Sequence, residues 1–191
     1  MIDRKITIGI PCQGTVKMQT AMSLIEIIST ANWPTYTFFQ SGCYVHENRK
    51  KIVEAAKEVG STHLFFLDSD IYADGDVVKK LMAHDKDIVG CSYNQRSFPL
   101  ISTVKFAKDE EIYAVDKLPP ELFQCYGLGT GCLLINMRVF DIIDKPWFFF
   151  DEYKGDLLGE DIWFCRQAKR KGLEVWCDPT ISVGHMGDYE Y

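Results

Sequence analysis

The 191-residue chain lacks any run that hydrocarbon would accept. Its longest uncharged stretch, Ile27 to Val45, is broken by Ser29, Thr30, Asn32, Pro34 and Gln40, so no transmembrane segment is expected. It also lacks a positive balance: Lys+Arg 21 against Asp+Glu 27 leaves a net charge of −6, a poor footing for nucleic acid. Proline and glycine are sparse, at 7 and 14, and form neither linker nor repeat. Collagen-like and low-complexity classes are thereby excluded, and a 47% hydrophobic content excludes intrinsic disorder. Close cysteine pairs are missing too. The seven thiols at 12, 43, 91, 125, 132, 165 and 177 contain no C-x-x-C, and reduced, buried thiols are expected in place of disulfides or a zinc site. The apolar run after Asp3, Arg4 and Lys5 is too short for a signal sequence, and a cytoplasmic location follows as the expectation.

What the chain does have is alternation. Lys5–Ile10 reads as a strand, and Thr15 as the cap of a helix to about Ala31 with Met18, Met22, Ile25 and Ile28 on one face. A strand at Thr35–Phe39, a helix from about Glu47 to Val59, a strand at Thr62–Leu67, a helix at about Asp76–His84 and a strand at Asp87–Ser92 follow. That order predicts a parallel sheet covered on both faces. The second half is less regular. Strand-like pieces fall at Ser102–Phe106, Phe123–Tyr126 and Gly131–Asn136, and a short helix at Arg138–Asp144. An aromatic loop at Trp147–Tyr153, a helix from Glu160 to about Lys171 and a last strand at Leu173–Cys177 complete it. The expectation is one α/β domain over 1–191 with a mostly parallel central sheet flanked by helices, a Rossmann-like nucleotide-binding half to about residue 100 and an elaborated half beyond.

The strongest chemical signal is His63-Leu64-Phe65-Phe66-Leu67-Asp68-Ser69-Asp70. A buried strand delivers two carboxylates at its C-terminal end, where open α/β sheets bind ligands. In extended chain, residues two apart share a side, so Asp68 and Asp70 are expected to face one hard divalent cation. An EF-hand started at Asp70 fails, because Tyr72 and Leu81 fall where oxygen ligands are needed. Gly127-Leu128-Gly129-Thr130-Gly131 lacks the G-x-G-x-x-G spacing and leads into a strand, so it is read as close backbone approach to a ligand. Glu160 and Asp161 open a helix, where acids are favourable for dipole reasons alone. His185, between Gly184 and Gly187, follows the last strand, and an imidazole beside carboxylates suits manganese better than calcium.

Taken in order, the strand ending in Pro11, the Asn48-Arg49 helix start, Asp68-Ser69-Asp70, Gly129-Thr130-Gly131-Cys132, Gly159-Glu160-Asp161 and a terminal His185 resemble the GT-A fold nucleotide-sugar glycosyltransferases. The flavour is that of glycosyltransferase family 2 and its small viral and bacterial relatives, over about Lys5 to Gly187. The Pro11-Cys12-Gln13-Gly14 opening is not the usual family-2 one. The resemblance implies a GT-A domain that moves a sugar from a UDP- or GDP-type sugar nucleotide to a hydroxyl on a glycan or glycoconjugate. It implies donor contacts from Asp68 and Ser69, and a Mn²⁺ or Mg²⁺ ion on Asp70 and His185 with Asp68 beside them. It makes Asp161, or else Glu160, the general base of an inverting displacement. Pro11, Gln13 and Arg49 are further donor-site candidates, a guanidinium matching phosphate geometry. Gly129, Thr130 and Gly131 would lie under the donor sugar, and Tyr93, Arg96, Trp147, Phe148 and Tyr153 on the acceptor side. Phe149, Phe150, Trp163, Phe164 and Trp176 are read as core.

Two other readings remain open at this point. A sugar-nucleotidyltransferase would need a basic, glycine-rich loop after the first strand, and Cys12 to Lys17 matches that poorly. A non-catalytic sugar-nucleotide or glycan-binding module would keep Asp68 and Asp70 but have no use for Asp161.

Overall fold

The computed structural model describes residues 4–109, 111–115 and 117–187. In chain order the elements are β1 (Ile6–Cys12), α1 (Met18–Thr30), β2 (Thr35–Ser41), α2 (Val45–Glu58), β3 (His63–Leu67), β4 (Ile71–Ala73), α3 (Val77–Ala83) and β5 (Ile88–Cys91). The second half adds β6 (Phe106–Lys108), β7 (Glu111–Tyr113), β8 (Phe123–Cys125), β9 (Cys132–Asn136), α4 (Val139–Ile142), β10 (Asp151–Tyr153), β11 (Asp156–Leu158), α5 (Glu160–Arg170), β12 (Val175–Asp178) and β13 (Val183–His185).

Seven strands form the central sheet in the order β2-β1-β3-β9-β5-β12-β8. β1 pairs parallel with β2 and β3, and β5 with β12, whereas β9 runs antiparallel between β3 and β5. β8 closes the far edge antiparallel to β12. Five strands thus run one way, so the sheet is mostly parallel as expected, with β8 and β9 running against the rest. The strands buried on both faces, such as Leu64–Leu67 and Cys132–Ile135, are continuous apolar runs, as a sheet covered on two sides requires. One core joins Ile52, Val53 and Ala56 of α2 to Phe164 and Ala168 of α5. The other joins Leu24 and Ile27 of α1 to Val77, Val78 and Leu81 of α3. All seven cysteines are free thiols, and five are buried. Among the described residues no helix is long and apolar enough to cross a membrane.

Two expectations invert. The α1 face carrying Met18, Met22, Ile25 and Ile28 points outward, and Thr20, Ser23, Leu24 and Ile27 are buried. Ser23 tolerates burial because its hydroxyl bonds both the carbonyl and the amide of Ala73. Nor does Thr15 cap this helix: Lys17 holds the N-cap position without a side-chain bond. In the aromatic run, Trp147 and Phe148 are buried while Phe149 and Phe150 are exposed. Phe148 stacks on Phe164 at 5.1 Å and meets Phe66 edge-on, which removes Trp147 and Phe148 from the acceptor surface. Trp163 and Trp176 are half-buried, and only Phe164 of the three is fully enclosed.

Three antiparallel pairs stand outside the main sheet: β6–β7, β10–β11 and β4–β13. The last has a direct consequence for the site. Its register sets His185 opposite Ile71, and so brings a residue near the end of the chain beside Asp70.

Candidate active site

The C-terminal ends of β1 and β3 meet the start of β9 at one end of the central strands. Leu67 faces Cys132 in register, and the next residues close the corner: the Asp68 amide donates to the Gly131 carbonyl at 2.9 Å. β3 ends at Leu67, and Ile71 N–H donates to the Asp68 carbonyl at 3.0 Å, so residues 68–70 form a turn. The period-two expectation therefore fails there, and the two carboxylates part company.

Asp68 turns to Arg49. Guanidinium Nη1 and Nη2 donate to its Oδ1 and Oδ2 at 2.9 and 3.0 Å, while Nε donates to Glu160 Oε1 at 3.2 Å. Arg49 is 2% exposed and lies over the Phe66 ring, 5.2 Å from its centroid. Burial alone would ease its proton off, but the charges of Asp68 and Glu160 overcome this and raise its pKa further. Proposed from sequence as a phosphate ligand, Arg49 has its donors turned on two acids and almost no surface for a substrate. Glu160 is likewise enclosed, which leaves Asp161 the better placed of the two expected bases.

Asp70 turns the other way. Its Oδ2 lies 3.0 Å from Arg96 Nη1 and 3.6 Å from His185 Nε2. Burial opposes its ionisation, but the hydrogen bond and charge of His185, with Arg96 behind, hold its pKa below the ordinary carboxylate range. The His185 imidazole is raised in return, burial being outweighed by Asp70 and the Asn94 carbonyl. His185 Nδ1 lies 2.8 Å from that carbonyl, which can only accept, so Nδ1 carries the proton and Nε2 faces Asp70.

The donor set decides what cation could fit. Both Asp68 oxygens are engaged, and among the described residues no group of three metal-ligating side chains converges. Two remain, one carboxylate oxygen and one imidazole nitrogen. That suits an ion which completes its shell with water and substrate phosphate, as magnesium and manganese do, and not a protein-caged one. Arg96, placed by sequence on the acceptor side, is the side chain such an ion would displace from Asp70.

Around this end is a cleft of about 320 Å³, lined by Pro11, Gln13, Lys17, Asp68, Ser69 and Asp70 among others. Lys17 escaped the sequence reading. Its amide donates to the Ser69 carbonyl at 2.8 Å, pinning the start of α1 to the acidic turn. Asn48 was quoted only as part of a motif, yet its amide braces the carbonyls of Cys12 and Gly42 at 3.3 and 2.9 Å.

Asp161 lines a second cleft, about 540 Å³, with Gln95, Thr103, Lys105, Tyr113, Tyr153 and Leu157. Ile162 N–H donates to its Oδ1 at 2.7 Å at the start of α5, an arrangement that favours the anion. Burial, then the like charge of Glu160, prevail and push the Asp161 carboxyl up to about 6.

Tyr93 ties the parts together. Its hydroxyl accepts the Gly131 amide proton at 2.8 Å, and its ring meets His185 edge-on at 5.5 Å. A Cβ at Gly129 would overlap that hydroxyl, so only glycine lets the loop lie this close. Thr130, expected under the donor sugar, is buried, and its hydroxyl has no hydrogen-bond partner. Buried at 8% exposure, Tyr93 is a support for the loop and not an acceptor contact. Tyr93→Phe leaves the Gly131 donor unmatched and is expected to cost about 1–3 kcal/mol. At about 2–4 °C per kcal/mol this is a drop of several degrees in a thermal melt. A melt matching the parent would show that the bond contributes nothing.

No protein-family model matches the chain, and no curated protein matches it in sequence. Among solved structures, A197 from STIV aligns with a TM-score of 0.67 and 19% identity, over 96% of this chain and 86% of that one. The two share a fold. A glycosyltransferase involved in the glycosylation of the major capsid of PBCV-1 aligns with a TM-score of 0.40 and 14% identity, over 75% of this chain and 69% of that one.

Proposed function

We propose that the chain is a metal-dependent glycosyltransferase that moves a sugar from a nucleoside-diphosphate donor to a hydroxyl acceptor, with Asp161 as the general base of an inverting displacement. One observation carries the reading: Asp70, which His185 meets at 3.6 Å, lines one cleft, and a second cleft holds a carboxylate with a pKa of about 6. The donor occupies the first cleft, its nucleoside against Pro11 and Gln13 and its diphosphate toward Asp70. Lys17 and Arg96 supply the positive charge that an acidic chain otherwise withholds from a diphosphate. Asp70 and His185 would hold the divalent cation, which when bound supplies Lewis-acid stabilisation to the departing nucleoside diphosphate. Gly129 and Gly131, buried and held by Tyr93, would form the floor beneath the donor sugar. Asp161 accepts the proton of the attacking hydroxyl, and a pKa near 6 leaves it mostly ionised at neutral pH yet basic enough to take that proton.

Thermal shift with UDP and GDP, each with and without Mn²⁺, tests the donor half. A ligand at a hundredfold excess over its Kd stabilises by about 2.7 kcal/mol, or about 5–10 °C at this size. The Mn²⁺-dependent part of the shift is expected to vanish in Asp70→Ala and His185→Ala. A shift independent of the metal would remove the cation from the proposal. Pyrophosphate released from a nucleoside triphosphate and a sugar phosphate would replace the transferase with a nucleotidyltransferase.

A further inference from the structure

The cleft over Asp161 has a chemical character of its own. One wall comes from the β6–β7 hairpin and another from β10–β11, with Thr103, Gly159 and Ile162 below. Tyr113 is the outer ring of a stack: Phe123 lies on Phe106 at 5.8 Å and 11°, and Phe106 on Tyr113 at 6.2 Å and 29°. The stack holds the Tyr113 ring in place while leaving it 43% exposed. From the other hairpin comes Tyr153, backed by the Arg166 guanidinium 4.5 Å from its ring centre. Leu157, paired with Glu152 across the same hairpin, also lines the cleft and is 77% exposed. Apart from Asp161, the charges among the described lining residues balance, Lys105 and Lys154 against Glu111 and Asp156.

Those features select among acceptors. A phosphate-bearing acceptor would call for an excess of cations, which the lining does not offer. A lipid tail would call for an apolar channel, and four charged side chains interrupt this one. A neutral sugar chain satisfies both conditions. Its C–H faces stack on tyrosine rings, its hydroxyls pair with Gln95, Thr103 and the lysines, and more than one ring fills the volume.

We infer that the cleft between the two hairpins seats the terminal rings of a neutral oligosaccharide, one of them stacked on Tyr113, with the accepting hydroxyl at Asp161. The acceptor role rests on the transferase reading, whereas the binding of saccharide there does not.

The experiment is capture of the whole chain on an array of immobilised neutral di-, tri- and tetrasaccharides, with a serine/threonine-rich peptide and an alkyl phosphate as the other classes. Capture by at least one saccharide is expected. Tyr113→Ala should weaken it about tenfold, the order of one lost stacking contact, and Tyr113→Phe should retain it. Tyr36→Ala, an exposed tyrosine of β2 outside both clefts, serves as control, and melting points check the fold. Capture by the peptide or alkyl phosphate alone, no saccharide capture, or a Tyr113→Ala variant that binds like the parent would overturn the inference. Release of nucleoside diphosphate from UDP- and GDP-sugars, read on the same preparations, separates the two ideas. Saccharide capture without donor turnover keeps the cleft assignment and removes the transferase; donor turnover without saccharide capture does the reverse.

Discussion

Asp161→Asn is expected to lower sugar transfer by about 10²–10⁴-fold, the range a positioned general base contributes, while the donor-induced thermal shift persists. The two readouts divide because Asp161 lines the second cleft and not the one edged by Asp70. The parent's rate should rise with pH through an apparent pKa of about 6 and then level, since only the ionised carboxylate accepts the proton. Stability moves the opposite way. An aspartate unfolded at its ordinary pKa of about 3.9 but folded at about 6 is neutral in both states at low pH. As pH climbs from about 4 to 6 the unfolded form gives up its proton more readily, and folding loses free energy over that window. Asparagine removes the repulsion from Glu160, so the variant should melt no lower than the parent above pH 6, even as its transfer collapses. A variant that keeps a tenth of the rate, or an acid limb that survives the substitution, would take Asp161 out of the base role. So would a product of retained anomeric configuration by proton NMR.

Why the first half was legible and the second less so follows from the kind of signal each residue carries. Leu64 to Leu67 are apolar without interruption, and only a strand covered on both faces uses such a run, so the position of Asp68 at its end was readable. Direction was not: β9 carries the same continuous apolar run whether it lies parallel or antiparallel to β3. α1 was read the wrong way round because it has two apolar stripes, and periodicity cannot choose between them. The choice was made by Ser23, whose hydroxyl finds both backbone groups of Ala73 fifty residues away. Four consecutive aromatics at 147–150 have no phase at all, which is why the buried and exposed pairs were exchanged. Tyr113 and Leu157 were missed because three-residue strands are too short to show a period. The Phe106–Tyr113 stack that marks the β6–β7 hairpin exists only once the chain has turned.

Arg49 is the plainest case of long-range information, and its replacement should have the largest effect on stability. Its guanidinium reaches Asp68 at the end of β3 and Glu160 at the start of α5, residues 19 and 111 positions away. Arg49→Met preserves the volume of the stem but leaves two largely enclosed carboxylates facing each other. Breaking a buried ion pair by removing one partner costs about 3–5 kcal/mol. With about 2–4 °C per kcal/mol at this chain length, the melting point should fall by about 6–20 °C. Arg49→Lys should recover only part of the loss, because one ammonium cannot present the two parallel donors that Asp68 receives together with the third that Glu160 receives. Neutralising the acids as well, in an Arg49→Met, Asp68→Asn, Glu160→Gln variant, should return more stability than the single substitution retains. It should not restore function, since Asp68 and Glu160 belong to opposite halves of the site and the guanidinium fork links the turn at 68–70 to the helix that carries Asp161. If Arg49→Lys melts with the parent, one positive charge suffices and the fork geometry has no part in joining the two halves.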